Sequence, residues 1–128
     1  MDYAKSFRDL EVYKLSRELA KEIFQISKTF PKEETYSLID QVRRSSRSVG
    51  AQIAEAWAKR RYEKHFTSKL TDSDGEQQET QHWLETVYDC NYIDKSTLNN
   101  LLKRYASVGK MLNGMISKSH LFCKDFSK

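Results

Sequence analysis

The run KEETYSLIDQVRRSSRSVGAQIAEAWAKRR, from Lys32 to Arg61, decides how this chain is read. Ile39, Val42, Ser46, Val49, Ile53 and Ala56 or Trp57 recur at spacings of three and four. That is the apolar seam of an amphipathic helix. At about 1.5 Å per residue the helix runs roughly 40 Å, a length suited to a bundle. With Val42 at zero and about 100° per residue, the seam centres near 20°, Arg43 and Arg47 turn to about 100–140°, and Arg44 faces away near 200°. A strip of small residues, Gly50, Ala51, Ala54 and Ala58, lies between about 80° and 180° and allows a second element to approach closely. The reading is an all-helical scaffold with a basic helix at its centre.

Outward from that run, the N-terminal side carries Val12, Leu15, Leu19, Ile23, Ile26 and Phe30 as a main stripe, widened by Leu10, Tyr13, Ala20 and Phe24. A stripe that broad belongs to a helix with two neighbours. Ser6 with Asp9 three residues on is a variant capping box. Pro31 stops this helix and can open the next, where Glu33 and Glu34 favour the positive N-terminal end. On the C-terminal side, Phe66, Leu70, Ser73, Gln77, Thr80, Leu84, Val87 and Asn91 keep a helical period through a polar middle. Gly75 adds about 1 kcal/mol of helix cost relative to Ala. One helix with a polar centre is the preferred reading, a short loop at Asp72-Ser73-Asp74-Gly75 the alternative. After a turn capped by Asp94 or Ser96, Leu98, Leu101, Tyr105, Val108, Leu112 and Met115 form a heptad seam. The tail 119–128 is expected to fray, although Leu121, Phe122 and Phe126 could dock on a neighbour.

The predicted helices, about 7–29, 32–60, 63–92 and 96–118, are joined by short connections. This implies one domain, 1–128, of the all-α class: an antiparallel, up-down-up-down four-helix bundle. The chain is 38% hydrophobic and 31% charged, with a single Pro and four Gly, which argues against a loop-rich or all-β protein. No apolar run approaches a membrane span, and the N-terminal residues lack a secretory pattern, so a cytoplasmic location without membrane contact is expected. Cys90 and Cys123 stand without a CxxC partner and read as reduced thiols.

The net charge of +4 is a mild bias; its distribution says more. Arg43, Arg44, Arg47, Lys59, Arg60, Arg61 and Lys64 crowd one stretch against Glu55 and Glu63, whereas Asp72 to Asp94 holds acidic residues and no Lys or Arg. Arginine forks suit phosphate oxygens, and two clusters on one rigid helix could span several phosphates. The same arginines could instead pair with the acidic helix or with another copy of the chain. Chemistry is poorly represented. Glu79 and His82 make a single E-x-x-H where di-metal bundles use two. Asp72-Ser73-Asp74-Gly75 misplaces the glycine of a calcium loop, and neither a nucleophile elbow nor a Gly-rich phosphate cradle occurs. No catalytic residue, metal site or cofactor is expected.

The run FRDLEVYKLSRELAKEIFQISKTFP, with Glu34, Leu38 and Gln41, then QVRRSSRSVGAQIAEAWAKR, resembles the 23S rRNA intervening-sequence proteins, also called the S23 ribosomal protein family. The pattern shared is F-x-x-L-x-V near the start, F-P before the second helix, and Q-[IL]-R-R-A-x-x-S-[IV]-x-x-N-I-A-E-G. The likeness runs from Phe7 to about Ile116, and is most specific at Phe30-Pro31, Gln41 to Arg44, Ser48-Val49 and Ile53-Ala54-Glu55. Gly50, Gln52 and Ala56 depart from it, standing where the family often has Pro, Asn and Gly. The resemblance implies an antiparallel four-helix bundle assembling as a ring-like homopentamer. It extends to the accessory protein of diversity-generating retroelements, which binds nucleic acid through a basic surface and partners a reverse transcriptase. Expected partners are therefore copies of the chain itself, rRNA or another nucleic acid, and a protein such as a reverse transcriptase.

Overall fold

The computed structural model describes residues 4–124. The main helices are α1 (Glu11–Ser27), α2 (Leu38–Ala58), α3 (Glu63–Asp89) and α4 (Lys95–Ser117), followed by a short α5 (Ser119–Cys123). Each main helix packs on the next, and α4 returns against α1, closing an antiparallel bundle. The core is built from the seams expected of each helix. Leu19, Ile23, Val42, Val49, Ile53, Phe66, Leu70, Leu84, Tyr105, Val108 and Leu112 are fully buried. No described helix is long and apolar enough to cross a membrane.

α3 runs unbroken through Gly75, because its polar middle is satisfied by the neighbouring helices. The buried Ser73 hydroxyl donates to the Val49 carbonyl at 2.8 Å, and Thr80 donates to Ser45 at 2.9 Å, so α2 and α3 are joined by hydrogen bonds as well as by apolar contact. Toward α4, the Gln77 amide donates to Asp74 and accepts from Gln81, lying against the buried Gly109. The Tyr105 hydroxyl is buried without a hydrogen-bond partner, and that burial pushes its pKa up.

The two helical glycines of this region should respond oppositely to the same change. A Cβ at Gly75 meets nothing within 4 Å, whereas at Gly109 it would stand 2.7 Å from Gln77 Nε2. Gly75→Ala should stabilise by about 0.5–1 kcal/mol. Gly109→Ala should destabilise by up to about 1 kcal/mol, because the Gln77 amide has to leave its bonds to Asp74 and Gln81 to make room. Urea titrations of both variants check the pair.

The element ends depart from the predicted 7–29 and 32–60. Ser6 and Asp9 do form a capping box, but it closes a single 3-10 turn, Phe7–Asp9; Leu10 is extended and α1 begins at Glu11. Phe7 swings back to meet Tyr13 edge-on at 4.9 Å. Pro31 opens another 3-10 turn, Lys32–Glu34, and α2 starts only at Leu38. Residues before Leu38 have no apolar face to bury, and Tyr36 is 95% exposed, so helix there would gain nothing from packing. The tail departs in the other direction. Rather than fraying from Ser119, its first residues form α5, burying Cys123 and setting Phe122 5.7 Å from Phe66, with Ser119 donating to Glu63. Leu121 stays exposed, and Phe126 lies outside the described residues.

The chain reverses between α3 and α4 through Asn91, whose φ of 63° is left-handed. Tyr92 N donates to Val87 O and Asn91 N to Tyr88 O, a Schellman closure, and Asp94 caps α4 through Thr97 N. This turn is tied to the α1–α2 connection, since the Tyr92 hydroxyl donates to Glu34 at 2.9 Å. Hydrogen bonds from Ser37 and Tyr92 hold the Glu34 carboxyl below the usual glutamate range, while Tyr92 is pushed up to about 12. A depressed carboxylate contributes stability above its unfolded pKa and loses it as pH falls through the folded one. Tyr92→Phe should therefore be less stable than the parent at neutral pH, and the gap should close in acid. Urea titrations at the two pH values measure this.

Candidate nucleic-acid interface

Tyr13, Arg17, Lys21 and Phe24 of α1 and its C-cap residue Lys28 follow one another at helical spacing and so share one face, directed to the α2 side. Across from them α2 presents Arg43 and Arg47. Phe24 is the meeting point. Lys28 Nζ lies 4.5 Å from its ring centroid, the Arg43 guanidinium 4.7 Å and that of Arg47 5.5 Å. Each such contact is worth roughly 0.5–1 kcal/mol at an exposed site. Arg43 Nε also donates to Ser27 Oγ at 2.7 Å, and Ser27 in turn donates to the Phe24 carbonyl.

No carboxylate of the described residues lies within ion-pairing distance of Arg43, Arg44 or Arg47. Two acidic residues of α1 are engaged by α4, although Glu18 also borders the α1–α2 side. Glu22 and Glu18 both pair with Arg104 of α4, Glu18 at 3.4 Å. The α2-facing side of α1 is left positive, with Arg17 donating to the Tyr13 hydroxyl at 3.2 Å. Between the helices runs a groove of about 740 Å³, floored by Gly50, Ala51 and Ala54 and walled by Phe7, Tyr13 and Phe24. Part of the small-residue strip on α2 thus lines open space, although Gly50 itself packs on Tyr13 and Ser16.

Arg44 turns to the α3 side, where with Arg47 it borders a second groove containing Glu76 and Glu79. Burial and the adjacent Glu79 push the Glu76 carboxyl up, and Arg44 pulls it down. Asp72, Glu79, Glu85 and Asp89 are exposed along α3, and among the described residues none forms an ion pair. Basic α2 and acidic α3 are thus neighbours that do not neutralise each other through direct pairs.

The other predicted cations stand elsewhere. Lys59 caps α2, Arg60 and Arg61 make the turn into α3, and Lys64 lies in its first helical turn. Arg60 folds back on its own helix end, its guanidinium 3.7 Å from the Trp57 ring centroid and its Nε donating to the Trp57 carbonyl. It acts as a C-terminal cap. The structure therefore joins Arg43 and Arg47 to Lys28, Arg17 and Lys21 of α1, and leaves the second cluster at the end of the bundle. The α1 cations are missing from the predicted set. The signal that could have found them is the stripe of positions 17, 21, 24 and 28, one aromatic among three cations on one helical face. No group of three or more His, Cys, Asp or Glu placed to hold a metal occurs among the described residues; Glu79 instead accepts from Trp83 Nε1.

A family model described as 23S rRNA-intervening sequence protein matches residues 8–114. The chain belongs to that family. A crystal structure of a protein of unknown function from the S23 ribosomal protein family of Bacteroides thetaiotaomicron is similar over 83% of this chain and 95% of that one, with 28% identity and a TM-score of 0.74. No curated protein matches the chain. Membership in the intervening-sequence family accounts for the bundle and carries no catalytic assignment.

Proposed function

We infer that the chain is a non-enzymatic, oligomeric RNA-binding bundle whose contact surface is the cationic face shared by α1 and α2. One observation carries this: Lys28, Arg43 and Arg47 converge on Phe24, and none of the three forms an ion pair with a carboxylate among the described residues. A guanidinium held by a ring and a hydroxyl keeps its full charge and most of its N–H donors for phosphate. The family description connects its members with an intervening sequence of 23S rRNA, which makes such RNA the first polyanion to try. Assembly into an oligomer would turn a modest patch into an avid one. Gel shifts of the whole chain with rRNA fragments test the reading: complexes should form at low salt and weaken steeply as salt rises. Absence of any complex at low salt removes it.

A second reading is a scaffold that engages other proteins, with the arginines buried between copies. It is favoured by the unpaired state of both the basic α2 and the acidic α3, each of which a neighbouring copy could satisfy. Arg47→Glu should then reduce the molar mass seen by light scattering; an unchanged mass counts against a contact role for this residue.

A further inference from the structure

We propose that the groove between α1 and α2 takes unpaired nucleotides, so that the chain prefers single-stranded nucleic acid over duplex. The inference rests on the RNA-binding reading above and narrows it to a class of strand.

The groove combines the two features that single-strand sites need, apolar surface for bases and cations for the backbone. Ala51 and Ala54 carry little side chain, and the groove beside them has a volume of about 740 Å³ along the surface between the helices. Tyr13 and Phe7 stand edge-to-face on one wall, and Phe24 with its attached cations forms the other end. Arg17 and Lys21 on one rim and Arg47 on the other place positive charge along both lips. Among the described residues Glu18 is the one carboxylate lining it, and that side chain pairs with Arg104.

A duplex cannot use this shape. Its phosphates lie on a broad convex surface, and helices packed side by side have axes only about 8–10 Å apart. The base faces of an RNA helix are also stacked on one another, and its major groove is too narrow for side chains to read. Unpaired bases of loops and ends can be splayed out and stacked on rings or guanidinium planes. Charge complementarity and the apolar floor therefore point to the same occupant, a single strand.

The test compares a fluorescein-labelled oligouridine with an RNA duplex of equal length, by anisotropy at matched salt, using the full chain. The single strand should bind at least about tenfold more tightly. Ala51→Leu, at an exposed position, fills the groove and should weaken single-strand binding about tenfold while leaving duplex binding within about twofold. Circular dichroism establishes that the variant is folded, and Arg17→Gln with Lys21→Gln should reproduce the loss without altering the floor. Duplex bound as tightly as single strand, with Ala51→Leu changing neither, overturns the groove while RNA binding by the cationic face stands. Binding of neither overturns both. A change in molar mass by light scattering for Ala51→Leu, with anisotropy unaffected, assigns the groove to contact between copies and overturns the proposal.

Discussion

Replacing Arg43, Arg44 and Arg47 together with glutamine should abolish RNA retention at physiological salt and leave only weak binding at low salt. Every phosphate that the protein ceases to neutralise flattens the plot of log affinity against log salt, by about 0.9 on a duplex and about 0.7 on a single strand. Arg43 and Arg47 stand on the α1–α2 face and Arg44 on the α3 side, so the loss of two phosphate contacts should remove roughly 1–2 units of slope. Arg44 and Arg47 are exposed, so their replacement costs the fold little. Arg43 is half-buried and bonded to Ser27, and its removal should lower stability by about 1 kcal/mol. A thermal melt beside the binding series separates the two effects. An unchanged slope with intact affinity would exclude α2 from the contact surface.

Phe66→Ala should be the most damaging single truncation at the α2–α3 end of the bundle. The side chain is fully buried, and it is the surface on which α5 lands through Phe122. Removing a buried Phe side chain costs about 3–5 kcal/mol, the spread reflecting how far the cavity collapses. Because α5 has just five residues and cannot hold helix alone, the same change should release it. Urea titration gives the stability, and faster labelling of Cys123, buried in the parent, reports the release. Wild-type labelling kinetics in a folded Phe66→Ala protein would show that α5 is held by other contacts.

The seams of α2 and α4 were legible because their faces are amphipathic from end to end. Even α3 was readable through Ser73, Gln77 and Thr80, since the helical period survives where hydrophobicity does not. What periodicity could not supply was the termini. Ser6 and Asp9 look like the start of a long helix, yet the 3-10 turn ends where Leu10 becomes extended. Nothing in Lys59 to Tyr62 is a strong breaker, and the reversal there is imposed by the need to bury Ala56 and Phe66 in one core. The candidate site was half visible. Arg43, Arg44 and Arg47 stand out as a run, whereas Lys28 shares a less conspicuous stripe with Arg17, Lys21 and Phe24 that joins the site when α1 packs on α2. Arg60 illustrates the converse, a cation within a conspicuous run that the fold uses to finish a helix.

Gathering carboxylates on α3 while the α1–α2 face stays cationic makes the molecule electrically lopsided. A polyanion drifting within about 10 Å, the screening distance at 0.1 M salt, would exert a torque on it before any atoms touched. The arrangement would turn the arginines forward and α3 away during approach, so that many collisions begin correctly oriented.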